Sequence, residues 1–265
     1  MAPPPVDKSR YNLFNPVPDD QLRAFASDRP NKGTGPTTVD AGRFQIETDL
    51  LYALHDGYSV NQTTTRQFIA GDPVLKLGIT NHVDLEIGLG GYQAFRVTDR
   101  NAGTTHRFDG FGDVTVRAKV NLLGNDGGAV AVALIPFFKI PTASRDVGNA
   151  AGEWGLTIPV QFQLPLNIVA LVVTEFDDYR NLNNFGRHAG FTNLVNLNAP
   201  LTATVTAGVE VWSQVQASHI PAQSSLDFSL AWMLGENTQL DAAAYIGMNK
   251  ATPDLVAYAG VSRRF

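Results

Sequence analysis

The chain has 265 residues, a formal net charge of −5, a pI near 5.5 and no cysteine. The acidic balance argues against nucleic-acid binding, which needs a basic patch, and the lack of cysteine excludes disulfides and thiolate metal sites. No apolar run approaches the roughly 20 residues that a membrane-spanning helix needs. The length fits one large domain.

Residues 1–40 differ from the rest of the chain. They are rich in proline, which disfavours a continuous strand. The first residues lack the basic and apolar segments of a signal peptide, so we expect that such a segment has been removed. We predict a separate N-terminal leader, and two interpretations stay open: a periplasmic segment resting on a barrel rim, or a plug that enters the lumen.

Residues 41–265 alternate apolar and polar side chains along successive segments. In a strand this period of two gives one apolar and one polar face. In the first segment Phe44, Tyr52 and Leu54 belong to the apolar face, whereas asparagines blur the phase of 188–198, the eighth and weakest segment. The ninth is predicted to begin near Thr202. The other predicted strands with defined bounds are 43–54, 82–94, 113–122, 129–139, 167–178 and 255–265.

The connections between these segments alternate in length. Tight turns are predicted at 80–81, 124–128, 165–166, 199–200 and 235–237, and longer pieces at 55–64, 96–107, 141–154, 178–188, 214–224 and 249–254. Short turns at one rim and long loops at the other are typical of transmembrane barrels. We therefore predict an all-β fold: an antiparallel transmembrane β-barrel of about twelve strands, arranged as an up-and-down meander, with both termini on the periplasmic side.

The polar faces carry charges of both signs, which cannot face lipid, because a midplane Arg or Lys there costs about 2–4 kcal/mol. Two interpretations stay open and are compatible: ion pairs that hold the barrel closed, or a pore lining that sets selectivity. About twelve strands leave a narrow passage. The predicted pore-lining residues are Glu47, Asp49, Lys76, Asp84, Glu86, Asp113, Arg117, Lys119, Lys139, Glu175, Asp177, Glu210, Asp227, Asp241 and Arg264.

Aromatic residues near the predicted strand ends favour interfacial girdles: Tyr52, Phe95, Phe111, Phe138, Phe176, Trp212, Trp232 and Tyr258. The chain ends in Phe265, and reading back by twos gives Val261 and Ala259. This alternation is typical of the assembly signal of outer-membrane barrels. Arg263 departs from it, although near a rim it could extend into the headgroups.

The remaining motifs indicate little chemistry. The five histidines lack metal-ligand spacing, and we predict no metal and no cofactor. Glu175, Asp177 and Asp178 are interpreted as solvated rim charges, with a calcium site as the alternative. The glycines at 88–91 predict a bend in the barrel or a crowded lumen wall. A barrel hydrolase with His188 or His219 near a loop serine stays a third-ranked alternative.

Several segments together resemble a known family: 27–32, 38–49, 110–119, 136–143 and 260–265. They are similar to the outer-membrane proteins described as MetA-pathway of phenol degradation, from about Phe25 to the C-terminus. The resemblance implies passage of aromatic or other apolar small molecules. It provides no catalytic residues.

We therefore expect a monomeric channel of the bacterial outer membrane for passive uptake of small molecules, aromatic or apolar compounds among them. Its expected partners are outer-membrane lipid, lipopolysaccharide, the barrel-assembly machinery and the solute, but no nucleic acid. The alternative from another class is a non-conducting barrel that serves as an envelope anchor or ligand-binding protein.

Overall fold

The computed structural model describes residues 7–57, 62–181, 185–217 and 219–265. The predicted loops 55–64, 178–188 and 214–224 lie partly outside these ranges. Fifteen strand segments form one antiparallel sheet, and the last segment pairs with the first. Three pairs of segments continue each other across short breaks, so the sheet is a closed barrel of twelve strands. The predicted all-β meander is confirmed.

The twelve strands, numbered along the chain, follow one another around the barrel. They are β1 (Phe44–Asp56), β2 (Thr63–Ala70 and Asp72–Thr80), β3 (Val83–Leu89 and Tyr92–Asp99), β4 (Thr104–Phe111 and Val114–Leu123), β5 (Val130–Ile140), β6 (Glu153–Gln163), β7 (Val169–Arg180), β8 (Arg187–Pro200), β9 (Val205–Gln216), β10 (Gln223–Met233), β11 (Thr238–Gly247) and β12 (Leu255–Arg264).

Two short 3-10 turns, Asp19–Gln21 and Pro165–Asn167, complete the regular structure of the described ranges. No helix among these residues is long and apolar enough to cross a membrane.

The barrel closes where β12 meets β1, from Gln45 opposite Arg264 to His55 opposite Leu255. The Phe265 amide donates to the Phe44 carbonyl oxygen at 2.8 Å, so the barrel's two chain ends lie together. The connections at this rim include the shortest, 81–82, and the opposite rim carries the longest, 141–152.

One predicted long loop, 96–107, is wrong. β3 continues to Asp99 and β4 begins at Thr104, so only 100–103 connect them. The Phe95 and Phe108 rings stack with centroids 4.7 Å apart, and the Thr98 hydroxyl lies 3.0 Å from that of Thr105. Such cross-strand pairs stabilise the pairing of β3 with β4. The two strands therefore continue past the point where charged residues interrupt the apolar alternation.

β2, β3 and β4 are each interrupted by glycine, at Gly71, at 90–91 and at Gly112. Gly71 has φ +61°, and a Cβ added to Gly91 would lie 2.3 Å from the Gly71 carbonyl oxygen. The backbones of neighbouring strands therefore approach closely at these positions. The interruption of β3 thus lies at 90–91, where the glycines predict a bend or a crowded wall.

The predicted phase of β1 is wrong beyond Asp49. The register shifts between Asp49 and Leu51, and Leu50 and Leu51 are both exposed, at 52% and 55%. A bulge adds one residue and so moves the following side chains to the opposite face. Tyr52 and Leu54 consequently face inward and pack against a buried cluster that includes Tyr258.

The predicted aromatic girdle is wrong for Tyr52, Tyr258 and Trp212. Tyr52 and Tyr258 stack with centroids 6.4 Å apart, and Tyr258 is buried. The Trp212 ring packs against a buried apolar cluster. These three aromatics therefore belong to the interior, whereas Phe111, Phe138 and Trp232 are exposed.

β8, β9 and β7 also differ from the prediction. β8, predicted as weak, is 14 residues long with regular alternation, because Asn196 is fully buried while Asn193 accepts from the Thr174 hydroxyl at 2.9 Å. β9 begins at Val205 rather than near Thr202, because 201–204 form a turn. β7 begins at Val169 and ends at Arg180, two residues beyond its predicted end at residue 178.

The leader lies first across the rim that carries the chain ends and then inside the barrel. The Leu13 amide donates to the Ile79 carbonyl oxygen at 2.8 Å, and the Val17 amide to Ala41 at 3.0 Å. From residue 27 to residue 40 the leader contacts inward-facing side chains. A Cβ added to Gly33 would lie 2.8 Å from the Leu194 side chain, so β8 limits side-chain size there.

Candidate functional site

The first leader contact joins Asp28 to β2 and β4. The Lys76 ammonium donates to Asp28 Oδ2, and Lys119 Nζ lies 3.0 Å from the same oxygen. Both lysine side chains are almost fully buried. Burial by itself raises the pKa of Asp28, but the charges of Lys119 and Lys76 outweigh it and hold that pKa well below its usual range.

The second contact joins Arg29 to β1, β11 and β12. Arg29 Nη2 donates to Asp241 Oδ1 at 2.7 Å and Nε to Oδ2 at 3.2 Å, while Nη1 donates to Asp49. The guanidinium also lies 4.9 Å from the Tyr258 ring centroid. Burial opposes the charge of Arg29, but Asp241 and Asp49 outweigh it and raise the pKa of the guanidinium.

The third contact holds Lys32 between aromatic rings and carboxylates of β9, β10 and β11. Lys32 Nζ lies 2.9 Å from Asp227 Oδ2, 4.4 Å from the Trp212 ring centroid and 4.2 Å from that of Tyr245. Its backbone amide donates to Glu210 at 3.2 Å. Burial lowers the pKa of Lys32, and the charge of Asp227 opposes that shift only in part.

The leader then returns to the rim along β3 and β12. The Val39 amide donates to Asp84 Oδ2 at 2.8 Å. The almost fully buried Asp40 lies 3.2 Å from both Arg264 Nη1 and Lys8 Nζ. The leader is thus fastened by charge at both ends of its path through the barrel.

Nine of the predicted pore-lining residues contact the leader directly, and Glu86 lies behind them, 3.3 Å from Lys119. The nine are Glu47, Asp49, Lys76, Asp84, Lys119, Glu210, Asp227, Asp241 and Arg264. The remaining five, Asp113, Arg117, Lys139, Glu175 and Asp177, line cavities nearer the other rim.

These five residues are paired unequally. Lys139 lies 2.7 Å from Glu153 and 3.4 Å from Asp113, whereas the ion pair of Arg117 with Glu86 is long, at 3.9 Å. Within the described ranges, Asp177 has no ion pair, and its Oδ2 is buried without a hydrogen-bond partner. The interpretation of Asp177 as a solvated rim charge is therefore wrong, because its side chain faces inward and is almost fully buried.

The space inside the barrel is divided by the leader. At the rim near the chain ends, two cavities of about 850 and 720 Å³ lie on either side of residues 22–25. Toward the other rim, two cavities of about 310 and 320 Å³ share Thr115, Arg117 and Lys139. The leader ion pairs lie between these two sets of cavities.

Within the described ranges, the residues proposed for a calcium site or a hydrolase do not form an assembled site. No group of three or more His, Asp or Glu side chains is placed to hold a metal ion there. Asp178 pairs with Arg187, and Glu175 accepts from the Thr157 hydroxyl. His188 hydrogen-bonds with Asn181 at 2.7 Å and Gln216 at 3.0 Å rather than with a serine.

The C-terminal residues alternate as the predicted assembly signal requires. Ala259, Arg263 and Phe265 are exposed and Val261 is half-buried, whereas the alternate positions Gly260, Ser262 and Arg264 are buried. The Phe265 ring lies 6.0 Å from that of Phe44, and the Arg263 guanidinium lies 5.2 Å from the Phe265 ring. Recognition of these residues during assembly stays a prediction.

A family model matches residues 27–265, which include the leader contacts and the whole barrel. The chain belongs to the family described as MetA-pathway of phenol degradation. The predicted family is thereby confirmed. None of the curated proteins matches the chain.

Solved structures with a similar fold are outer-membrane barrels. The COG4313 outer membrane channel from Pseudomonas putida F1 has a TM-score of 0.71 at 12% identity, covering 89% of this chain and 100% of that one. The transport unit of the autotransporter AIDA-I from Escherichia coli has a TM-score of 0.55 at 10% identity, covering 90% and 93%. The NanC porin has a TM-score of 0.51 at 10% identity, covering 83% and 98%. These similarities establish the barrel fold.

The sequence interpretation missed the leader's own charged residues, Asp28, Arg29 and Lys32. A signal for them was present, because 27–32 is one of the segments that carry the family resemblance. The proline-rich leader has no hydrophobic core of its own, so the partners of its charged residues are expected on the barrel wall. Phe137 lies in 136–143, another of the segments that carry the resemblance, whereas the inward Tyr179 carried no comparable signal.

Proposed function

We propose that the protein is an outer-membrane channel for passive passage of small molecules, with aromatic or apolar compounds among its solutes and the leader as its gate. The observation that carries the proposal is the charged leader inside a closed barrel, with cavities on both sides of it. Family membership and the fold shared with channels and porins support it.

The ion pairs between leader and wall support a gate rather than a permanent core. A permanent core would be filled by apolar side chains. The interface between leader and wall instead consists mainly of matched charges, which water can solvate once the leader separates from the wall. Asp28, Arg29 and Lys32 each face opposite charges on the wall. A displaced leader leaves a polar passage in which fixed charges set selectivity.

The position in the cell and the partners follow the same proposal. We infer that the exposed apolar face contacts outer-membrane lipid and lipopolysaccharide and that the barrel-assembly machinery inserts the protein as a monomer. The rim with the chain ends then lies in the periplasm. A non-conducting barrel is the second candidate, and the leader-filled interior favours it.

A disulfide between leader and wall tests the gate. The Ser27 and Ser262 hydroxyl oxygens lie 2.7 Å apart, and the chain has no other cysteine that could pair with introduced ones. Ser27→Cys combined with Ser262→Cys should therefore cross-link the leader to β12 under oxidation. We expect planar-bilayer recordings to show openings for the reduced protein and at least tenfold fewer for the oxidised one.

Each single-cysteine variant serves as the control and should open equally under both conditions. Equal opening of the oxidised and reduced double variant would reject the leader as the gate. Absence of conductance in the reduced protein, together with absence of solute uptake into liposomes, would reject the channel and favour the non-conducting barrel.

A further inference from the structure

The two cavities beyond the leader form one recess, which we call the outer recess. It lies between the leader and the rim with the longer connections, and its two parts, of about 310 and 320 Å³, share Arg117. Each part has a volume at the lower end of those that hold small ligands. Lys32 and Thr34 of the leader close one side of it.

One row of paired residues crosses four neighbouring strands in the wall of this recess. Arg117 of β4 lies opposite Phe137 of β5, Phe137 opposite Gly155 of β6, and Gly155 opposite Asp177 of β7. Adjacent strands are about 4.8 Å apart, so Arg117 and Asp177 are roughly 14 Å apart along the wall at their Cα atoms. A basic and an acidic side chain thus mark the two ends of the row.

The middle of the row is a flat aromatic surface. A Cβ added to Gly155 would lie 2.4 Å from Cζ of Phe137, so the phenyl ring occupies the space above this glycine. The Tyr179 ring covers Gly190 on the far side of Asp177 in the same way, at 2.5 Å. Glycine at both positions lets the rings lie flat along the wall.

The charges at the two ends lack full partners within the described ranges. Asp177 is 4% exposed and has no ion pair; the Tyr179 hydroxyl donates a hydrogen bond to its carboxylate, but Oδ2 is buried without a partner. Glu175 beside it has only the Thr157 hydroxyl. The Arg117 side chain is 33% exposed, and its one ion pair in these ranges is the 3.9 Å contact with Glu86, so this guanidinium is free to bind an anion. Lys139, by contrast, is held between Asp113 and Glu153 and is therefore assigned to the wall. A buried charge without a partner is costly, so a ligand that supplies the partner binds favourably.

We propose that the outer recess binds small amphoteric aromatic molecules that carry a cationic group at one end and a carboxylate at the other. The cationic group pairs with Asp177 and Glu175, the carboxylate accepts from Arg117, and the ring lies on Phe137. A simple anion leaves the acidic pair unmatched, and a simple cation leaves Arg117 unmatched. The proposal deepens the proposed function by naming a solute class, but binding to the recess does not require conduction.

The test compares three probes by calorimetry on the full chain in detergent: 4-(aminomethyl)benzoate, benzoate and benzylamine. We expect the amphoteric probe to bind at least tenfold more tightly than the other two. Asp177→Asn should abolish its advantage over benzoate, and Arg117→Gln its advantage over benzylamine. Asp146→Asn and Arg145→Gln remove exposed charges of the 141–152 connection and should leave all three affinities unchanged.

Equal affinity for the three probes, no binding of the amphoteric probe, or unchanged preference in both recess variants would overturn the proposal. Circular dichroism and resistance to unfolding in sodium dodecyl sulfate verify that each variant retains its barrel. Because these measurements need no membrane, a binding result stands apart from the conductance experiment. Binding without conductance rejects the channel alone, and conductance without binding rejects the recess alone.

Discussion

Replacing Arg29 with glutamine should release the leader from the barrel without unfolding the barrel. The substitution removes both hydrogen bonds to Asp241 and the one to Asp49, and it leaves Asp241, whose side chain is fully buried, without its cation. Breaking one side of a buried pair costs about 3–5 kcal/mol. Because about 1.4 kcal/mol corresponds to a factor of ten, the displaced population should rise roughly a hundredfold or more.

Limited trypsin digestion of the purified protein measures this population. Cleavage after Lys32 requires the leader to leave the wall, so its rate follows the displaced fraction when opening and closing are fast relative to cleavage. Arg145→Gln, which removes an exposed arginine, should leave the rate unchanged. In the variant that combines Arg29→Gln with Asp241→Asn, the change in the free energy of leader displacement should be smaller than the sum of the changes in the two single variants, as expected for groups in contact. A cleavage rate within threefold of the unmodified protein would refute the leader docking described above.

Three further results are expected. Gly78→Ala should displace the leader, because its Cβ would lie 2.1 Å from the Asp40 carbonyl oxygen. Gly88→Ala serves as the control, because no neighbour lies closer than 3.8 Å to its Cβ, and the trypsin assay should show leader displacement only for Gly78→Ala. Acidification should release the leader: the pKa of docked Asp28 is lowered, so its contribution is complete above pH of about 4 and is lost as pH falls below that. Open probability recorded from pH 7 to pH 3 should rise, and Asp28→Asn should flatten this rise. The open pore should favour cations, and a reversal potential that indicates anion preference in a salt gradient would contradict the acidic wall.

Much of the barrel could be predicted because its strands keep a strict period of two. The second segment of β4 alternates apolar and polar side chains from Val114 to Leu122, and β12 alternates buried positions with exposed or half-buried ones along its whole length. β1 could not be phased correctly, because Leu50 and Leu51 are both apolar and hide the extra residue of the bulge. The length of β3 and β4 beyond the glycine breaks depends on pairing between strands, which a local pattern does not contain.

The inward charges could be recognised as a set, but their partners could not. Arg29 and Asp241 are separated by 212 positions in the chain, and Lys32 and Ser225 by 193. Whether such residues meet depends on the path of a proline-rich segment that has no periodic pattern. The sequence pattern therefore leaves both interpretations of the leader open.

The charges of the wall explain why this leader and not an apolar one occupies the barrel. On β9, β10 and β11 the inward acids Glu210, Asp227 and Asp241 have no basic wall residue within ion-pair distance in the part of the chain that the structure describes. Arg29 and Lys32 supply the missing cations there. On β2 and β4 the sign is reversed, and Asp28 meets two lysines. Because the charges of the leader pair with opposite charges of the wall, departure of the leader exposes those wall groups to water. Arg117 and Asp177 of the outer recess form no ion pair with the described residues of the leader and stay available to a solute.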